Sequence, residues 1–584
     1  MSTYQEIPKI YRLQRELSDV DRVANDYFEK ILDLNPVLAT ELGRKGVETL
    51  YPDYSPAGEK ALAKLAKKTL KKIDSVLPVD DVDLVTLDAL QERLSLYRAQ
   101  YKAGLGYWQL NNITSVPQEV RSVFDLMKRE SHEDWEHIIG RMHRVPEALE
   151  GLILSLEAAR AEGKISPRRQ VDIVIEQTAA YYAPGGFFDE LAAEVTAAVP
   201  ELAEAASTGA EHAKNGYRRL NEYLVEVLQP AAPSRDAVGR KLYSLHSRSF
   251  LGSTVDLDET YAWGVRELED IIARQREVAE EIEPGASIER AKQLLDEDPK
   301  RQLHGTEALK SWMQELANGA VENLAGTHFD IDGPMRRIEC CIAPTHEGGI
   351  YYTGPSPDFN RPGRMWWSVP EGEEEFTTWR ETSTVYHEGV PGHHLQISIA
   401  TALAGTMNSW RTNMLWVSGH GEGWALYAER LMEELGYLKD PGDRMGMLNA
   451  QRMRAARVVF DIGVHCELPV PAEWAERLGV EPGTIWTSEL GYEFLKQNLD
   501  ESEGQLRFEF LRYLGWPGQA PSYKIGERLW MQLRDQALER GEQMRHFHTR
   551  ALMLGSVGLD TLRRALTDEM MLPIEIEDDE EDED

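Results

Sequence analysis

Cysteine is nearly absent: the 584 residues include three, Cys340, Cys341 and Cys466, and two of these are adjacent. So few cannot build a disulfide framework, and the pattern fits a reducing compartment. No CxxC occurs, which excludes a cysteine-based zinc site and a thioredoxin-like redox centre. Long apolar runs are missing too. No stretch of 18 apolar residues appears, so a membrane span is not expected. The first residues, MSTYQEIPKIYRLQREL, carry charges where a secretory signal requires an apolar segment, and the expectation is a cytoplasmic protein. Positive charge is in deficit, with 64 Lys and Arg against 99 Asp and Glu, net −35. Nine of the acids fall in the last ten residues, EIEDDEEDED, and the body remains strongly acidic without them. Such a surface repels phosphate backbones, so nucleic acid is not an expected partner. The acidic run itself reads as a solvated, disordered tail over 574–584. No fixed-period repeat is present, which leaves a solenoid unsupported.

What the chain does have is apolar residues (42%) set at helical spacing. Val20, Val23, Ala24, Tyr27, Phe28, Ile31 and Leu32 line one helix face, with Ser18 as N-cap and Pro36 as terminator. Leu84, Leu87, Leu90, Leu94, Tyr97 and Tyr101 repeat the pattern before Gly104. Further helices are expected over 133–143, 146–162, 167–182, 200–228, 235–249, 257–282 and 305–325. The texture changes near 330, where short β-type runs around 336–342, 349–353 and 364–369 alternate with turn-forming residues. Helical periodicity then resumes. The expectation is a mainly α protein: a large helical fold with a substrate cleft and one small sheet preceding the metal-site helix. Its parts are an N-terminal helical half (1–330), a metal-site half (331–573) and the acidic tail.

The chemistry concentrates in Thr384-Val385-Tyr386-His387-Glu388-Gly389-Val390-Pro391-Gly392-His393-His394. In H-E-x-x-H, two histidines one helical turn apart bind zinc, and the glutamate beside the first is free to act as base. Here Pro391 breaks that spacing. On an unbroken helix His387 and His393 lie about 120° apart and do not converge. Pro391 cannot donate to the His387 carbonyl and Gly392 loosens the next peptide, so a kink or bulge would rotate His393 back. His394 competes as the second ligand; it shares a face with His387 but sits about 10 Å further along the axis. His393 is preferred. The bland alternative is a chance meeting of histidines on a helix.

A third ligand is expected from the helix that begins at Ser418-Gly419-His420-Gly421-Glu422-Gly423-Trp424. Glu422 and Glu429, seven apart, share a face. Glu422, flanked by glycines, is the preferred ligand, with Glu429, His394 and His420 as neighbours outside the ligand set. Tyr523 is a candidate donor to an oxyanion, its alternative being simple packing at a helix start. Lys524, Arg454, Arg457 and His465 are candidates for binding substrate or supporting the site. Gly349 and Tyr351, in the Gly348-Gly349-Ile350-Tyr351-Tyr352 strand, are placed to pair with an extended peptide.

HEGVPGHHLQ, the EGWALYAE segment and WPGQAPSYKIG (516–526) together resemble the bacterial domain-of-unknown-function 885 family over most of the chain. That family is in turn similar to the helical zinc peptidases, the group with thimet oligopeptidase, angiotensin-converting enzyme and carboxypeptidase Taq. The resemblance implies a cleft-bearing helical fold and Zn2+ held by His387, His393 and Glu422, with Glu388 as base. The departure at Pro391 is the point where this chain leaves the strict one-turn spacing. The function expected is a zinc-dependent hydrolase of short peptides; the alternatives are an amidase acting on a non-peptide substrate and an inactive peptide-binding protein. Oligomeric state is not legible.

Overall fold

Helix signals in the N-terminal part act as written. A computed structural model describes residues 7–11, 14–344, 349–567 and 569–571; the acidic tail and Gly348 lie outside the described residues. The Asp19–Leu34 helix begins with a capping box, in which Ser18 accepts from the Asp21 amide and the Asp21 side chain accepts from the Ser18 amide. Its expected stripe is buried except for Val23, which is half-buried. Pro36 does more than end this helix, since it opens a short second one, Pro36–Glu41, capped by Asn35.

Pro146 was expected to divide two helices, but a single helix runs His132–Ala161 with the proline inside it. Tertiary packing overrides the lost hydrogen bond. Ile138, Met142, Val145, Leu149 and Leu152 are buried on this helix. Gly216 on the Ala203–Tyr223 helix rests against the proline so closely that a Cβ would sit 2.9 Å from the Pro146 Cα. The expected 200–228 helix runs on through a π turn, Leu224–Leu228. Helices Pro56–Ile73, Phe187–Ala198 and Ile288–Glu297 add to those expected.

The strands fall where the texture changes. In the three-stranded sheet, β2 (Ile338–Ile342) runs parallel to β4 (Gly363–Trp367), and β3 (Ile350–Thr353) pairs antiparallel with β4 on its other side. β3 is thus an edge strand. The expectation of one sheet needs correction, because β1 (Gln302–His304) and β5 (Glu375–Thr377) form a second, two-stranded sheet. Three-residue strands are too short to show alternation in a sequence.

Apolar packing gathers in three clusters. One links residues from Ile7 to Leu566, one lies within 37–232, and one joins the larger sheet to Leu309, Met313 and Val385. The last matters for function, because Val385 lies two residues before His387 and ties that helix to the sheet. Among the described residues no helix is long and apolar enough to cross a membrane.

Candidate metal centre

The helix carrying His387, Thr378–Glu388, buries Trp379, Val385 and Tyr386. It lies against the Pro441–His465 helix at backbone distance: a Cβ on Gly446 would stand 1.8 Å from the Trp379 carbonyl oxygen. After Glu388 the helix stops. Four residues, Gly389–Gly392, turn the chain, and a new helix, His393–Ala402, begins. The expected kink or bulge is therefore a full break. Three backbone hydrogen bonds define the turn: Gly389 N–H to Val385 O, Gly392 N–H to Tyr386 O and His394 N–H to Gly389 O. Only glycine fits at 392, where a Cβ would lie 1.9 Å from the His387 carbonyl oxygen. Trp424, on the Ser418–Glu434 helix, donates its indole N–H to the Pro391 carbonyl at 2.9 Å and so fastens the turn to the helix of Glu422.

The break does what an unbroken helix cannot. The His387 and His393 rings stand edge to face with centroids 5.0 Å apart. Their Nε2 atoms lie 3.3 and 3.5 Å from one oxygen, Glu422 Oε2. Zinc bonds to nitrogen and oxygen of about 2.0–2.2 Å at tetrahedral angles require ligand atoms about 3.3–3.5 Å apart. The two observed separations meet that requirement. Glu388 closes the group, its carboxylate and the two imidazoles presenting ligand atoms within 4.8 Å of one another. One Glu388 oxygen, Oε2, is buried without a hydrogen-bond partner.

Glu429 orients the first imidazole. Its Oε1 lies 2.8 Å from His387 Nδ1, so Nδ1 donates its proton to Glu429 and Nε2 is aimed at Glu422, donating to it while the ring is charged and offering its lone pair once that proton leaves. Burial alone would lower the His387 pKa, but the hydrogen bonds to Glu422 and Glu429 outweigh it and push the ring up to about 9. Burial acts to raise Glu422, yet the two imidazoles hold it well below the usual carboxylate range. Burial raises Glu388 against the pull of His393 and His387.

The other expected residues separate into two groups. Gly349, Tyr351, Arg454 and Tyr523 line one cavity of about 800 Å³ together with His387, Glu388, His393 and Glu422. Arg454 Nη2 is 3.9 Å from Glu429 Oε1, and its Nε is buried without a hydrogen-bond partner. Burial and the charge of Glu422 raise the Tyr523 phenol, which keeps its proton as a donor. The Arg457 guanidinium lies 5.2 Å over the Tyr523 ring and donates to the Tyr513 hydroxyl at 2.6 Å.

Lys524 and His465 do not reach the cavity, which corrects the expectation that they bind substrate. Lys524 is 1% exposed and spends its ammonium on Glu527, Glu267 and Gln451. His465 is buried with its Nε2 3.0 Å from the Tyr513 carbonyl oxygen. His394 and His420 are likewise removed from the ligand set. His394 accepts from the Tyr352 hydroxyl and donates to the Met335 carbonyl, both at 2.8 Å, and so bolts the edge strand β3 to the His393 helix. Burial keeps its ring neutral, at about 4. His420 faces away from Glu422, as residues two apart on a helix do; its Nδ1 lies 3.1 Å from the Val557 carbonyl oxygen and its ring meets Trp530 edge-on.

Trp416 and Glu381 are among the cavity residues that escaped the sequence reading. Trp416 stands 6.2 Å from the His393 ring, over Gly421, where a Cβ would lie 2.4 Å from the indole; the only signal was that glycine. Glu381, one turn and a half before His387, also lines the cavity, and burial lifts it to about 7. Gly423 proves to serve packing: a Cβ there would lie 2.6 Å from the Gly526 Cα, so the Glu422 and Tyr523 helices meet backbone to backbone.

Comparison with known proteins gives the fold a family and no activity. A bacterial protein family of unknown function, DUF885, matches residues 36–566, and the chain belongs to it. No curated protein matches the sequence. A solved structure from Colwellia psychrerythraea, described provisionally as a lipoprotein, has a TM-score of 0.76 at 20% identity, covering 94% of this chain and 98% of that one. A second, from Shewanella oneidensis, provisionally a lipoprotein of unknown function, has a TM-score of 0.70 at 15% identity, covering 94% and 100%. At these identities the likeness is one of fold.

Proposed function

We propose that this DUF885 protein is a zinc-dependent hydrolase that cleaves amide bonds of short peptides. The observation that carries the reading is the convergence of His387 Nε2 and His393 Nε2 on one Glu422 oxygen at 3.3 and 3.5 Å, with His387 Nδ1 already taken by Glu429. Two imidazoles and a carboxylate suit zinc and leave a fourth position open. A zinc ion held there would supply Lewis acidity to water and to a scissile carbonyl.

The chain's own groups have the remaining work. Glu388, buried beside the ligands with an unpartnered oxygen, takes a proton from the attacking water and returns it to the leaving amine. Tyr523, kept as a phenol, donates to the oxygen on which negative charge develops. Arg454 presents a cation to substrate carboxylate or carbonyl groups. β3 is an edge strand whose Ile350, Tyr351 and Tyr352 line the cavity, and an extended peptide backbone would pair with it there. An amide-hydrolysing site that offers a strand edge favours peptides over other amides, and a cavity of this volume favours short ones.

The test begins with metal content by mass spectrometry on wild type, His393→Ala, His394→Ala and Glu422→Ala. One zinc per chain is expected in wild type and His394→Ala and is expected to be lost in the other two. Glu388→Gln should keep the metal and lose peptide turnover by about 10²–10⁴-fold. A folded wild type that neither carries nor takes up zinc would reject the reading, as would unchanged turnover in Glu388→Gln.

A further inference from the structure

A second cavity, of about 370 Å³, shares no lining residue with the first. Six elements from four separate stretches of the sequence build its wall. Glu59 comes from the Pro56–Ile73 helix, Tyr97 from Asp81–Lys102, Tyr107 from the loop after it, Glu119 from Val116–Leu126 and Phe250 from Arg240–Leu251. Trp516 closes the wall. It opens the WPGQAPSYKIG segment, of which the metal site uses only Tyr523.

The wall pairs negative charge with aromatic surface. It contains two carboxylates and neither lysine nor arginine. Glu59 accepts from the Tyr107 amide and Glu119 from the Tyr54 hydroxyl, at 3.0 Å for the second. Among the described residues no cation opposes either acid, and burial raises both above the usual carboxylate range. His246, the one histidine in the wall, is held neutral by burial, at about 4. In the wall Phe250 and Trp516 stand edge to face with centroids 5.4 Å apart at 90°, and behind it the buried Tyr54 supports Tyr107 at 5.3 Å and 81°. Burial and the neighbouring acid Glu59 raise the phenols of Tyr97 and Tyr107, so these rings stay uncharged. Such a wall leaves negative charge without a counter-charge and offers π-faces to receive one. A metal ion would need a fuller set of oxygen ligands than two acids from separate helices. The volume is that of a small-molecule pocket.

We propose that this cavity binds a small organic cation of the alkylammonium class, with the aromatic wall around its charged head and Glu59 and Glu119 supplying the counter-charge. The site is independent of the metal centre.

The test is calorimetric titration of the full-length protein with choline, tetramethylammonium and agmatine, and with 3,3-dimethyl-1-butanol, the uncharged isostere of choline. Saturable binding of one cation per chain is expected, with the isostere at least about tenfold weaker than choline. Glu59→Gln/Glu119→Gln should weaken the cation about tenfold or more while retaining both hydrogen bonds as acceptors. Trp516→Leu should do the same without touching a charge, and it serves if the double variant does not fold. The proposal falls if none of the three cations saturates the folded wild type, if isostere and choline bind alike, or if a folded variant binds undiminished.

Discussion

Two clusters of buried charge sit on neighbouring helices, and both looked chemical in the sequence. Around Lys524 the ammonium is fully answered: Glu527, Glu267 and Gln451 surround it, the side chain is 1% exposed, and it does not line the metal-site cavity, although Glu527 Oε1 and Gln451 Nε2 lack hydrogen-bond partners. Around Glu422 the polar atoms are left open. His387 and His393 crowd one carboxylate oxygen, Glu388 Oε2 and His393 Nδ1 have no hydrogen-bond partner, and a cavity of about 800 Å³ adjoins them. A satisfied buried charge is a structural device, because removing one member leaves the others desolvated and unpaired. An unsatisfied, convergent one is where a guest would supply the missing partners. Burial alone does not separate these cases; the convergence of two imidazoles on one carboxylate oxygen beside an open cavity does.

Breaking the satisfied cluster should give the largest change in stability. Lys524→Met keeps the aliphatic stem and strands Glu527, which retains only Arg430 at 3.5 Å. A loss of about 3–5 kcal/mol is expected in denaturant unfolding, with zinc content and per-molecule turnover of the folded fraction preserved. If turnover collapsed while stability held, the assignment of Lys524 to packing would be wrong. In the open cluster the equivalent change should act on the metal instead. Glu429→Gln leaves an acceptor for His387 Nδ1 but removes the charge, and zinc affinity should fall about 10–100-fold at little cost in stability. Equal affinities by competition with a chelator would make Glu429 a bystander.

The contrast also explains what the sequence made legible. The i, i+7 relation of Glu422 and Glu429 held because it depends only on helix geometry, and both acids do face His387. The strands around 338, 350 and 363 were visible because β-branched and aromatic runs between turn residues leave a local trace. Pro391 was read correctly as a disruption, but its result was underestimated: a kink or bulge was expected where the helix ends and restarts. Lys524 was drawn into the site by its neighbour Tyr523, although consecutive helix residues point about 100° apart. Pro146 shows the opposite error, a local break signal overruled by a buried face. The aromatic cavity had no sequence signature because its wall comes from four separate stretches of the chain.

pH gives the sharpest comparison of the open cluster with and without metal. In the metal-free protein His387 titrates at about 9, above its ordinary 6.5, because Glu422 and Glu429 favour its charged form against the penalty of burial. A group raised on folding stabilises the protein fully below pH 6.5 and loses that contribution as pH rises through 9. Metal-free stability should therefore decline from pH 6.5 to 9, other groups being equal. Zinc and this proton compete for the same Nε2 lone pair. Zinc affinity should then rise about tenfold per pH unit over the same window, one proton being released per ion, and level off above 9. The two slopes have opposite signs. Thermal unfolding of chelator-treated protein and zinc titration in buffered chelator, both from pH 6.5 to 9.5, read them separately. A zinc affinity that stayed flat across the window would mean that His387 Nε2 carries no proton for the metal to displace, and the shared carboxylate would lose its role as the organiser of the site.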